Sequence, residues 1–148
     1  MKEDEECMME PISKFVPYEL TTSVIKVNSY EEKKIKGSLF NSYYKDEMQF
    51  DNLAPLIFLI EDMLNALQYP QKGMESRSFR KEYENAARAV RTSVCSSADK
   101  VLATFKINVL FRQNASWQGS IVWLEQEMES QFRSILELIL LMDSVLTN

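Results

Sequence analysis

The pattern of apolar and polar positions changes period twice along this chain, in the same order each time. Apolar and polar residues alternate over about 21–30 and 34–44, and again over about 103–112 and 117–126, as in strands with one buried face. Short polar connections, 31–33 and Gln113-Asn114-Ala115-Ser116, join the members of each pair, so each pair reads as a hairpin. The apolar spacing then becomes three and four, which predicts amphipathic helices over about 52–67 and 134–147. Both helix starts carry suitable residues: Asn52 with Pro55 in the first turn, and Ser134 with Glu137 in a capping-box pattern.

The two runs superpose at a shift of 82 residues without a gap. Ile25 and Val27 fall on Ile107 and Val109, Gly37-Ser38-Leu39 on Gly119-Ser120-Ile121, and Gln49-Phe50 on Gln131-Phe132. In the helices Leu53, Leu56, Ile57, Leu59, Ile60 and Leu64 fall on Ile135, Leu138, Ile139, Leu141, Met142 and Leu146, while Glu61 falls on Asp143. One strand-strand-helix unit is marginal alone. Two copies side by side predict an α+β fold: a four-stranded antiparallel sheet with two helices on one face. Alternation turns Ile25, Val27, Ile35, Leu39, Ile107, Val109, Phe111, Trp117, Ile121 and Trp123 toward those helices. Five or six Leu or Ile side chains buried by each helix, at ~1.5–3 kcal/mol apiece, would supply a large part of the core.

The expected organisation is an acidic flexible tail over 1–17 and one domain over 18–148. The domain divides into a first repeat of about 20–68, a central insert of 70–100 and a second repeat of about 102–148. Pro70 ends the first helix. Within the insert, Tyr83, Ala86, Ala87, Val90 and Val94 have the spacing of a short helix over about 80–94, followed by a Ser-rich loop.

Composition adds limits. A length of 148 residues with 45% hydrophobic and 26% charged residues suits one ordinary globular core. The formal charge of −5 argues against a general polyanion binder. Cys7 and Cys95 form neither a C-x-x-C pair nor a disulfide framework, the start of the chain lacks a secretory pattern, and Glu61 and Asp62 interrupt the longest apolar stretch. These features lead to the expectation of a cytoplasmic protein without a membrane span.

Candidate chemistry is sparse. The chain has no histidine, which removes nucleophile–histidine dyads and the commonest metal ligand. Three glycines cannot build a phosphate or dinucleotide loop. Glu125, Glu127 and Glu129 alternate along an extended segment, but a solvated strand end explains them as well as acid–base or metal chemistry does. No catalytic, cofactor or metal site is assigned, and the chain is read as not an enzyme.

The outward sheet face offers more. Alternation places Lys26, Tyr30, Lys34, Lys36, Phe40, Tyr44, Lys106 and Arg112 there, with Leu110, Val122 and Leu124 making the second half apolar. Asn114 lies at the hairpin tip, where turn formation and recognition are both open. The candidate interaction surface is Lys26, Tyr30, Lys36, Phe40, Leu110, Arg112, Asn114, Val122 and Leu124. Its apolar share favours a protein partner or self-association. The alternative is single-stranded nucleic acid, with bases stacked on sheet aromatics and Lys or Arg following the phosphates.

The strings Phe111-Arg112-Gln113-Asn114-Ala115-Ser116-Trp117-Gln118-Gly119, Trp123-Leu124-Glu125 and Phe132-Arg133-Ser134-Ile135-Leu136-Glu137-Leu138-Ile139, with Arg77-Ser78-Phe79, resemble small uncharacterised proteins of Gram-positive, clostridia-like bacteria. The resemblance spans about 20–146. It implies a bacterial cytoplasmic origin and carries over no activity and no catalytic residue. The function expected is a non-enzymatic interaction module, a protein-binding regulatory or accessory protein.

Overall fold

A computed structural model of the chain describes residues 18–75, 77–79 and 100–147. The acidic tail over 1–17 and the insert helix expected over 80–94 lie outside the described residues. The elements in chain order are α1 (Tyr18–Thr21), β1 (Thr22–Glu31), β2 (Lys34–Phe40), β3 (Glu47–Phe50), α2 (Leu53–Leu67), β4 (Ala103–Phe111), β5 (Gln118–Trp123), β6 (Met128–Phe132) and α3 (Ile135–Leu146).

The sheet has six strands in the order β3-β2-β1-β4-β5-β6, all antiparallel, not the four expected. The additional strands are β3 and β6, four and five residues long, immediately before the helices. Their brevity hides them in the sequence, because two or three inward residues are too few to show a period. In β3 only Met48 and Phe50 pair with inward partners, Leu39 and Gly37. Glu125 and Glu127 lie in the turn that precedes β6, and Glu127 is left-handed at φ 53°; only Glu129 is on the strand. The three carboxylates therefore do not share one extended segment.

The pairing registers match position for position. Gly37 lies between Val27 and Phe50, and Gly119 between Val109 and Phe132. Both glycines permit close backbone approach: a Cβ on Gly37 would stand 1.9 Å from the Lys26 carbonyl oxygen, and one on Gly119 2.0 Å from that of Asn108. Where the halves meet, Val24 faces Lys106, the residue 82 positions further on, so the centre of the sheet is a local two-fold.

Both helices pack on the sheet face that carries Ile25, Val27, Phe105, Ile107 and Val109. The α2 side chains Leu56, Leu59, Ile60, Met63 and Leu64 and the α3 side chains Leu138 and Met142 complete one buried cluster. Asn52 caps α2 by accepting from Leu53 N, and Ser134 caps α3 by accepting from Glu137 N. Arg133 and Glu137 close the α3 start, the carboxylate also accepting from Arg133 N at 2.8 Å. Among the described residues, no helix is long and apolar enough to cross a membrane.

Two bulges decide which side chains face the helices. The register slips between Val27 and Ser29 in β1, and between Val109 and Phe111 in β4. An extra residue inverts the alternation beyond it. Phe111, expected inward, is instead 56% exposed, while Tyr30 and Arg112, expected outward, turn to the helix side. Tyr44 is also on the helix side, donating to Leu59 O, because β2 ends at Phe40 and Asn41 starts a turn. Trp117 is buried, whereas Trp123 is half-buried.

Candidate functional site

The face away from the helices is assembled by strand pairing. Its central row runs Glu47, Phe40, Val24, Lys106, Val122, Glu129 across all six strands. A carboxylate stands at each end and apolar groups lie on either side of the local two-fold. Lys26, one row away, reaches Glu47 at 3.2 Å. Lys36 faces Ser29 across the edge of the same face and is exposed. Phe40 is 43%, Leu110 46% and Leu124 39% exposed, and Val122 is half-buried. Phe111, beside the bulge that holds Leu110, joins them, a residue missed by simple alternation. Asn114 and Ala115 form the hairpin tip with φ 57° and 55°. The structure therefore brings together Lys26, Lys36, Phe40, Val122 and Leu124, sets Leu110 at the bulge and Asn114 at a tip, and removes Tyr30 and Arg112 from the surface.

Those two residues act inside. Arg112, only 4% exposed, donates through Nε to Pro70 O at 2.7 Å, through Nη1 to Asn65 Oδ1 at 2.7 Å and Glu61 Oε2 at 3.3 Å, and through Nη2 to Leu64 O at 3.4 Å. Burial lowers the guanidinium's pKa, and the Glu61 carboxylate opposes that effect. Trp117 Nε1 donates to the other oxygen of Glu61 at 2.8 Å, and Lys72 Nζ stands 3.6 Å from Glu61. On the opposite side of the local two-fold, Tyr30 OH donates to Asp143 Oδ1 at 2.6 Å, with Lys33 Nζ at 2.7 Å and Thr147 Oγ1 at 2.9 Å on the same oxygen. Burial first, and then the Asp143 bond, pushes the Tyr30 phenol up to about 12. Hydrogen bonds from Lys33, Tyr30 and Thr147 pull Asp143 down to about 2.

These are matching braces. Tyr30 and Arg112 are 82 apart, as are Glu61 and Asp143, and each brace joins the hairpin of one half to the helix of the other. An acid at the same place in two otherwise apolar helix stripes is the sequence signal that could have found them, because a charge on a packed face needs a partner.

A cleft of about 170 Å³ opens beside Glu61, between α2, the β4–β5 hairpin and the start of α3. Its walls include Ile57, Phe58, Trp117 and Ile135, with Lys72 and Ser116 at polar positions. Ser116 Oγ accepts from Ile135 N at 2.9 Å, which ties the hairpin to the helix start. Among the described residues, no group of three or more Cys, Asp or Glu side chains could hold a metal ion.

Compared with known protein families, curated proteins and solved structures, the chain matches none.

Proposed function

We infer that this chain is a non-enzymatic interaction module that docks a protein partner, or a second copy of itself, through the outer sheet face. The supporting observation is the company that exposed Phe40, Leu110, Phe111 and Leu124 keep: Lys26 and Lys36 with Glu47 and Glu129 flank a largely apolar face that carries Lys106 at its centre, and neither α2 nor α3 lies on that side. Apolar groups rimmed by charges of both signs suit a protein surface. A phosphate chain fits less well, since Glu47 neutralises Lys26 and Glu129 repels an anion at the far end. Tyr30 and Arg112, which the nucleic-acid reading required, are engaged with the helices.

On this reading the protein is a doubled strand-strand-strand-helix unit serving a bacterial cell as a cytoplasmic regulatory or accessory factor. Sedimentation at high concentration, affinity capture from lysate and anisotropy titrations with short DNA and RNA oligomers test it. The expected result is self-association or a captured partner, lost in both Phe40→Glu and Phe111→Glu while their melting temperatures stay near the parent's. A strictly monomeric particle with no captured partner would overturn the reading, as would salt-sensitive oligonucleotide binding that depends on Lys26 and Lys36.

A further inference from the structure

The two braces share a backbone plan and differ in what fills them. In the first half, Lys33 sits at the hairpin tip with φ 64° and sends its side chain to Asp143 at 2.7 Å, passing the Tyr30 ring at 5.8 Å. The equivalent residue in the second half is Ala115, held in the same left-handed conformation at φ 55° and lining the cleft. A β-carbon in that conformation carries a strain cost that glycine avoids. Where one side is filled by a lysine stem and ammonium, the other is open. Its ammonium comes instead from Lys72, on the segment after α2 and 3.6 Å from the carboxylate.

The charges differ as well. Lys33 and Asp143 neutralise each other beside an uncharged Tyr30. At the open brace, among the described residues, Arg112 and Lys72 both face the one carboxylate of Glu61. Arg112 is engaged by Pro70, Asn65, Glu61 and Leu64, so the cation that reaches the cleft is Lys72, whose side chain is 24% exposed and holds Glu61 only at 3.6 Å. Around it stand apolar walls from Ile57, Phe58, Met74 and Ile135. Small-molecule sites commonly combine an apolar concavity with few convergent polar groups.

We propose that the cleft beside Ala115 binds a small organic monocarboxylate, its apolar body occupying the space that Lys33 fills on the other side and its carboxylate pairing with Lys72. Benzoate is the probe, with benzamide as its uncharged counterpart. In a Trp123→Phe variant the only remaining tryptophan is Trp117, which lines the cleft, so its fluorescence reports occupancy. Thermal shifts of the unaltered protein provide a second readout that needs no substitution.

Benzoate is expected to give a saturable signal within about 20 mM, a weak affinity suited to so small a ligand. Benzamide should bind at least about tenfold more weakly, and Lys72→Gln should cost benzoate a similar factor, as loss of a charge-assisted contact requires. Ala115→Lys, which copies Lys33 into the open half, should keep the circular dichroism spectrum and abolish benzoate binding. No saturable response in either readout would overturn the proposal. So would equal binding of benzamide, or undiminished benzoate binding by a folded Ala115→Lys protein.

Discussion

Gly37 and Gly119 show how one missing atom sets the spacing of a sheet. A β-carbon at either would fall about 2 Å from a backbone oxygen of the neighbouring strand, and backbone cannot swing aside as a side chain can. Gly37→Ala and Gly119→Ala should each destabilise the fold by at least about 2 kcal/mol in chemical denaturation, within the range for overpacking. Gly73→Ala is the control: its nearest neighbour would be Gln113 Cα at 3.3 Å, and the loss should stay below about 1 kcal/mol. The braces allow a sharper comparison. Arg112→Met leaves Glu61 with Trp117 and the more distant Lys72, takes the donor from Pro70 O, Asn65 Oδ1 and Leu64 O, and should cost ~3 kcal/mol, as for breaking an enclosed ion pair. Tyr30→Phe removes one hydrogen bond to a half-buried carboxylate that keeps Lys33 and Thr147, and should cost about 1 kcal/mol. Equal losses in the two variants would show that charge burial is not what separates the braces.

At the scale of elements, the sequence was most readable where a pattern ran long. The helices over Leu53–Leu67 and Ile135–Leu146 differ from the expected 52–67 and 134–147 by one residue at the first start and one at each end of the second, because Asn52, Ser134 and Thr147 cap them from just outside. Ser134→Ala should therefore cost about 1 kcal/mol, measured by thermal unfolding. Alternation assigns the faces of the hairpin strands as far as the bulges and inverts them beyond. Val27 and Val109 were placed inward correctly, but one extra residue exchanged the sides of Tyr30, Arg112 and Phe111. Periodicity itself holds no trace of a bulge, and the available signal is the glycine opposite the residue before each one, Gly37 across from Val27 and Gly119 across from Val109. The short β3 and β6 went unread for lack of length. Of the candidate surface, Lys26, Lys36, Phe40, Val122 and Leu124 were legible from alternation alone, whereas the Glu61 and Asp143 braces required knowing which helix lies over which hairpin.

For the molecule as a whole, the braces make stability depend on pH at both extremes. Asp143 titrates near 2 when folded and at an ordinary 3.8 otherwise, so its contribution is present above about pH 4 and lost as pH falls toward 2. Tyr30 and Tyr44 are raised to about 12 from 10, so the unfolded chain loses those protons first and stability declines as pH rises from about 10 to 12. Unfolding followed across that range should show both limbs. Asp143→Asn should flatten part of the acid limb, leaving the parts that belong to Glu137, which Arg133 holds near 2, and to Glu125, where burial raises the pKa but hydrogen bonds, led by that from Thr104 N, bring it below the ordinary value.

The exchange of partners between halves also bears on how the chain is made. Tyr30 waits for Asp143, 113 residues later, and the inner edge of β1 waits for β4. As the polypeptide leaves the ribosome, its first half can form three strands and a helix tied by Tyr44 to Leu59, yet it lacks both braces and the strand that covers the inner edge of β1, so native structure should arise only once translation is nearly finished. Chains halted before residue 135 should then be digested by protease as fast as an unfolded polypeptide, and a resistant core in such a chain would show that the halves do not depend on each other.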